Sequence, residues 1–330
     1  MNPKITVIVP IYNVEKYVDK CLSSLHNQSF DDFEVWAVSD GSPDNSREVV
    51  KKWCKKDSRI KFIEKDNGGY GSVLQYCIDR IKSEFFLICD PDDWLDVTAL
   101  EQLYNVAIKN NLDVVVGDKY NVYTDNKQKE RVSSKTTKID VNSNIVYDDD
   151  YHIQLFSFLL VSPHAKLYKT KISKGIKFPE HVSYTDFDLY ILSLANAKRV
   201  LYYPHPLAYY LIDREGNTAT DVSIKTVSYY CEVWKAAFNQ LRTSKKNIDV
   251  LWWRMYAELQ LILAQFRKTS KNSSDRRYLL EIYSLIRKLQ VYKHSIQAVA
   301  PLNFKFKVIF DGLMNRYTYK LTSYIYMKLK

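Results

Sequence analysis

Over the first 117 positions, apolar and polar residues follow two alternating patterns. Short, nearly continuous apolar runs at Ile5–Val9, Phe33–Val38, Ile60–Glu64, Phe85–Cys89 and Asp113–Val116 read as buried strands. Between them, near 14–28, 44–56, 70–82 and 98–110, apolar positions recur at the helical period. Asp44 is placed to cap the second helix, and Thr98 or Asp96 the fourth. Each step from strand to strand is roughly 25 to 30 residues, the size of a strand–helix–strand unit. The pattern predicts an α/β fold with a mainly parallel, Rossmann-like sheet and helices on both faces. Right-handed crossovers would line up the loops after the strands along one edge, where open α/β sheets bind ligands.

Further along, residues 118–150 are polar and lysine-rich and read as a meandering or irregular insertion. Segments near 152–160 and 186–196 look helical, and Lys166–Tyr168, Val200–Tyr203 and Leu207–Leu211 look like short strands. After about residue 221 glycine becomes rare and long amphipathic patterns take over, as in Val250–Phe266 and Arg277–Leu289. A helical carboxyl-terminal region over 221–330 follows, with Asp213–Asp221 as a loop near its boundary.

Composition narrows the class. With 330 residues, 46% hydrophobic and 26% charged, the chain suits a globular protein, one large domain plus an appendage. No stretch reaches the roughly 18 to 20 apolar residues needed to span a bilayer. Met1 leads directly into a strand-like run without a signal-peptide pattern, and the five cysteines are scattered without CxxC spacing. Both features point to a cytoplasmic protein with reduced thiols and no structural zinc. The net charge of +10 suits nucleic acid, an anionic membrane or phosphate-bearing substrates. No nucleic-acid motif accompanies that charge, so nucleic acid is set aside.

Chemistry concentrates in four loops at the expected sheet edge. Asp90-Pro91-Asp92-Asp93 follows the fourth strand, and its carboxylates repel one another unless a cation sits between them. A divalent ion with oxygen ligands, Mn²⁺ or Mg²⁺, fits such a cluster; a solvated acidic turn is the plain alternative. Pro10 stops the first strand, and Tyr12 and Asn13 suit stacking on and bonding to a heterocycle. In Ser39–Asp44, Asp40 can accept a hydrogen bond from an imide N–H such as that of uracil, while Asp44 serves the turn. Asn67-Gly68-Gly69-Tyr70-Gly71-Ser72 opens a helix, where glycines let backbone approach a nucleotide closely.

Taken in order, IVPIYNVE, VSDGSPDNS, DNGGYGS and CDPDDW resemble the family 2 glycosyltransferases across roughly residues 4–100. Ala165–Tyr168, Tyr184–Asp186 and Pro206–Tyr210 extend the likeness to about 220. The resemblance implies a GT-A fold and an inverting, nucleotide-sugar-dependent enzyme, with a donor half over about 1–117 and an acceptor half over about 118–220. By position, Pro10, Tyr12, Glu15 and Asp40 would hold uracil and ribose, and Asp66, Asn67 and Gly68 would line the nucleotide pocket. Asp90 and Asp92 would be the metal pair, Asp90 shared with ribose, and Asp93 would orient the sugar. Asp186 would be the general base.

Three departures from the family pattern stand out. One acid, Asp40, stands where a pair is usual; Leu74 and Gln75 replace an arginine; Thr185 replaces the acidic neighbour of the base. His164 could reach metal or acceptor, although isolated histidines are more often structural. Arg214, with Thr218, could close over a diphosphate, or lie in a solvated loop.

The implied reaction moves a sugar from a UDP-sugar to a hydroxyl on a glycan, lipid-linked or protein-linked acceptor in bacterial surface polysaccharide or glycoconjugate synthesis. A non-catalytic nucleotide-sugar or carbohydrate-binding module and a nucleotidyltransferase are the rival classes. Phe304–Lys330 mixes aromatics with six basic residues against Asp311 alone, a net of +5. That segment suits either a helix resting on an anionic membrane or one packed on the catalytic domain or a partner subunit.

Overall fold

The structure is a computed structural model that describes residues 2–124, 129–136, 139–214, 223–270, 275–301 and 303–329. It separates into two compact units, Met1–Ala219 and Thr220–Lys330.

In the first unit, strands β1 (Ile5–Ile11), β2 (Phe33–Asp40), β3 (Ile60–Lys65) and β4 (Phe85–Ile88) alternate with helices α1 (Val18–His26), α2 (Ser46–Lys56) and α3 (Tyr70–Arg80). All seven residues of β1 are buried, and it pairs in parallel with β2 on one side and β4 on the other. A strand covered on both faces has no reason to alternate, which accounts for the unbroken apolar run. The strand does not stop at Pro10: it continues to Ile11, with Pro10 buried opposite Val38.

Next come β5 (Trp94–Leu95), α4 (Ala99–Asn110), β6 (Val114–Val122), β7 (Lys129–Val132), β8 (Val146–Tyr147), α5 (Asp150–Leu155), β9 (Lys166–Lys169), α6 (Thr170–Ser173), α7 (Asp186–Asn196) and β10 (Val200–Leu211). Among the described residues the strands form one sheet in the order β3-β2-β1-β4-β9-β6-β10-β5, with β7 on β6 and β8 on β10. The sheet is mixed. Its first four strands are parallel, but β9 runs antiparallel between β4 and β6, and β5, β7 and β8 also pair antiparallel. The supposed irregular stretch after 118 therefore continues β6 and adds β7 and β8. The two short strands expected over 200–211 are one, β10, with register shifts around Pro206.

The position of β9 shapes the site. Phe85 pairs with Lys169 and Phe86 with Tyr168, whose rings stack at 5.3 Å. Because the strands run oppositely, residues just before β9 lie beside residues just after β4. His164 and Ala165 are thus delivered to Asp90–Asp93.

The second unit is helical: α8 (Ile224–Leu241), α9 (Asp249–Thr269), α10 (Arg276–Leu289), α11 (Lys293–Val299), α12 (Phe304–Leu313) and α13 (Tyr319–Leu329). Its core is aromatic. Trp234 stacks on Phe238, Trp252 stacks on Tyr292 at 3.7 Å, and the Trp234 Nε1–H donates to the Met255 carbonyl at 2.9 Å. Among the described residues no helix is long and apolar enough to cross a membrane.

Candidate active site

The loops after β1 and β2 brace each other. Asn13 takes a left-handed φ of +53°, and its N–H donates to Ser42 Oγ at 2.8 Å. Asp44 accepts from the Glu15 N–H at 2.7 Å and from the Ser46 hydroxyl at 2.6 Å. Burial would raise the Asp44 carboxyl, but bonds from Ser42, Ser46 and the Glu15 backbone hold it below its ordinary value. It also accepts the Ser46 N–H from one residue outside the cap position, which Asn45 occupies. Glu15, expected on the ribose, accepts from the Asn45 N–H at 3.1 Å and from its side chain. Tyr12, half exposed, stays open to a ligand.

Asp40 joins the second loop to the third. Its Oδ1 accepts from Lys65 Nζ at 2.5 Å and from the Gly68 N–H at 3.0 Å; its Oδ2 accepts from the Gly69 N–H at 2.7 Å. Asn67 donates to the Asp40 carbonyl at 2.9 Å, and Asp66 and Asn67 are exposed. The carboxylate expected on uracil is thus first a clamp on the glycine loop, and any bond to a base would be added to that work.

The glycines also have a different neighbour from the one expected. A Cβ on Gly69, at φ +82°, would meet the His181 nitrogen at 3.0 Å, and one on Gly71 would meet the Pro179 carbonyl at 2.8 Å. They admit the protein's own 178–185 segment, whose His181 N–H donates to the Gly68 carbonyl at 2.7 Å. That segment ends at Asp186, the first residue of α7, so packing on the glycine loop helps fix where the expected base stands.

The acid cluster is where charge is least balanced. Burial and the neighbouring Asp92 push the Asp90 carboxyl up to about 7, and Tyr70 donates to Asp90 Oδ1 at 3.0 Å. Burial, with Asp92 and Asp90 close by, also pushes Asp93 well above the usual range. Asp93 Oδ1 accepts from the Leu211 N–H at 2.8 Å, and Oδ2 lies 2.6 Å from His164 Nε2. On the far side of the ring, Lys119 Nζ approaches His164 Nδ1 at 3.4 Å. Lys119 donates, so the protonated ring nitrogen is Nε2, which donates to Asp93. Burial keeps this histidine well below its ordinary value and hence neutral. Burial lowers Lys119 to about 8, against the pull of Asp93, Asp90 and Asp186.

Of the two expected metal ligands, Asp90 keeps its place and Asp92 does not. One ligand atom each from Asp90, Asp93 and His164 lies within 4.8 Å of the other two, a spacing that could hold a metal ion. Asp92, expected as a direct ligand beside Asp90, is instead ion-paired with Arg214 Nε. Arg214 lies at the edge of the described residues, and Thr218 lies outside them.

Asp186 lies within electrostatic reach of the same cluster. Its charge bears on Asp90, Tyr70, Tyr168, Lys119 and Lys166. Lys166 is fully buried, and burial lowers its ammonium to about 7. Thr185, which precedes Asp186, makes no side-chain cap bond to α7, and Tyr184 sits at φ +70°. Ala165, beside His164, is also left-handed at +51°. Such strain in non-glycine residues persists where surrounding structure imposes it, and it gathers at functional sites. Lys119 and Lys166 were missed as site residues, because their sequence surroundings read as strand and insertion.

A mixed sheet whose strand-end loops gather an acidic cluster, a glycine loop and a helix-terminal carboxylate is the GT-A arrangement. Residues 6–176 match the family model described as glycosyl transferase family 2, and the chain belongs to that family. A relative, glycosyltransferase GlyA of Streptococcus pneumoniae, is 31% identical over 227 residues, 66% of this chain and 32% of its own length. The poly(ribitol-phosphate) beta-glucosyltransferase of Bacillus spizizenii is 27% identical over 69% of this chain and 35% of its own. The chain thus spans about a third of the length of these curated relatives. The crystal structure of Staphylococcus aureus TarS 1-349 in complex with UDP-GlcNAc shares the fold, with a TM-score of 0.71 at 20% identity, covering 99% of this chain and 92% of that one.

Proposed function

We propose that the protein transfers a sugar from a UDP-sugar to a hydroxyl of a glycan, lipid-linked or protein-linked acceptor, with inversion, in bacterial surface polysaccharide or glycoconjugate synthesis. What supports this reading is that Asp186, the first residue of α7, lies close enough to Asp90 for its charge to raise the Asp90 carboxyl. Family membership supports it, as do a relative named for poly(ribitol-phosphate) and a fold neighbour holding UDP-GlcNAc.

The donor side would be built from the loops of residues 1–117, with Tyr12 offering a face to the base. His164 and Arg214 enter it from the 118–220 half. The cluster's unbalanced negative charge fits a divalent ion, Mn²⁺ or Mg²⁺, held by Asp90 with Asp93, by His164 once its Nε2 gives up the proton it shares with Asp93, and by Asp92 once Arg214 has moved. Such an ion would neutralise charge on a departing diphosphate. Asp186 would take the proton from the acceptor hydroxyl as it attacks the anomeric carbon from the face opposite the diphosphate. Arg214, released from Asp92, has the planar fork that matches phosphate oxygens. Lys119, near Asp93, Asp90 and Asp186, and Lys166, near Asp186, would offset part of the acids' charge.

The test is a panel of UDP-sugars assayed for Mn²⁺-dependent hydrolysis and for thermal stabilisation. A bound donor at one hundred times its Kd should stabilise by about 2.7 kcal/mol. Stabilisation without turnover for any sugar or acceptor would favour a binding module instead.

A further inference from the structure

Helix α13 has an ordinary inner side, where Tyr319, Ser323 and Tyr326 are buried. Its outer side is unusual. Positions 320, 321, 324, 325 and 328 share one face at helical spacing, all are exposed, and they read Lys, Leu, Tyr, Ile, Lys. Leu321 is 62% exposed, Tyr324 57% and Ile325 44%. On α12, Phe306, Lys307 and Val308 are exposed, and the connection adds Arg316 and Tyr317. A lone exposed apolar residue needs no explanation, but this many in one helical hairpin do.

Charge supplies the second observation. Thr220–Lys330 holds 20 lysines and arginines against 7 acids, a net of +13, whereas Met1–Ala219 holds 28 against 31, a net of −3. Asp311, the acid within the hairpin, is ion-paired with Lys293. Lys307, Arg316, Lys320 and Lys328 have no ion-pair partner among the described residues.

We propose that the outer face of α13, together with the exposed residues at the start of α12 and in the connection, docks on an anionic lipid bilayer. The apolar side chains would enter the boundary between headgroups and acyl chains, and the cations would meet lipid phosphates. A soluble polyanion would satisfy the lysines yet leave Leu321, Tyr324 and Ile325 in water. A protein partner would cover the apolar groups without calling for so large a surplus of positive charge. A bilayer takes up both the three apolar side chains of this face and the two lysines that flank them, with Lys307 and Arg316 nearby in sequence. The proposal stands on this surface alone, whether or not the transfer reading holds; if both hold, the enzyme sits where lipid-linked acceptors are.

The experiment is flotation of the full chain with vesicles of phosphatidylcholine alone or with about one-third phosphatidylglycerol, beside the triple variant L321Q/Y324Q/I325Q. Wild type should float with the anionic vesicles at least tenfold more than with neutral ones, and added salt should weaken this. The variant should lose at least tenfold of that binding while keeping its melting temperature and its affinity for UDP. Equal flotation of variant and wild type would overturn the proposal. So would failure of wild type to float, binding to soluble polyphosphate in place of vesicles, or a dimer in light scattering that the variant abolishes. UDP titration reports on the nucleotide site separately, so failure on vesicles leaves the transfer reading intact.

Discussion

Asp40→Asn separates two roles for one carboxylate. In the folded protein Oδ1 accepts from the Lys65 ammonium and the Gly68 N–H, and Oδ2 accepts from the Gly69 N–H. An amide has one acceptor oxygen, so whichever way it turns, a backbone N–H loses its partner and faces an NH₂ group. An orphaned buried donor costs about 1–3 kcal/mol. Lys65 also loses its counter-charge, but its side chain keeps 17% exposure and can draw on water. The total therefore falls near the low end of a broken buried pair, about 3 kcal/mol. In a unit of this size each kcal/mol moves the midpoint by about 2–4 °C, so the melt should fall by about 6–12 °C. The assay is thermal unfolding followed by near-ultraviolet circular dichroism, with UDP affinity from calorimetry on the same samples. An unchanged melt together with abolished UDP binding would refute the clamp and make Asp40 a nucleotide contact alone.

Other perturbations report on neighbouring parts of the argument. Asp186→Asn should preserve UDP affinity while lowering the transfer rate by about 10²–10⁴; an unimpaired rate removes it as the base. Chelation should stop donor hydrolysis and Mn²⁺ restore it in wild type, whereas Asp92→Ala should stay inactive with a near-normal melt, since Arg214 can turn to solvent. Gly71→Ala pushes a methyl against the Pro179 carbonyl and Phe178 Cβ, so the melt should drop by the equivalent of about 1–3 kcal/mol, and kcat should fall as the segment carrying Asp186 shifts. At Asp57, burial would raise the carboxyl, but Arg59 and His26 hold it well below its ordinary value. Its contribution is therefore present above about pH 4, the unfolded value, and is lost as pH falls through the folded one. Asp57→Asn should cost about 2 kcal/mol at pH 7 and progressively less in acid, measured by urea melts across pH.

The parallel half of the sheet was legible because β1, β2 and β4 are buried on both faces, β3 at the edge only in part, and each crossover helix carries its own period. The loops at its edge were legible for the same reason, because strand ends fix where Asp90–Asp93 must fall. The rest depends on a reversal that hydrophobic pattern does not encode. Lys166–Lys169 reads as a short strand, but nothing in four residues says that it runs antiparallel and inserts beside β4. That register turns His164 from a lone histidine into a partner of Asp93, and it brings Lys119 in behind. Asp40 and Glu15 carry bracing roles that the sequence did not reveal, for a related reason. A carboxylate in a loop looks available in sequence, but loops that converge must satisfy one another's N–H groups before they can serve a ligand.

The reversed strand also has a consequence for synthesis. A chain emerging from the ribosome as far as residue 117 already holds β1 to β4, and their apolar faces can begin to collapse. At that stage Asp93 has neither His164 nor the Leu211 N–H, and the acids at the end of β4 have no reason to leave water. The pocket can close only after β9 slides in antiparallel and β10 follows, contacts that span 71 and 118 residues. The half-sheet is therefore an early and comparatively local event, and the site is late and distant. Truncations that stop before residue 160 should yield a collapsed half-sheet whose Asp90–Asp93 carboxylates stay in water.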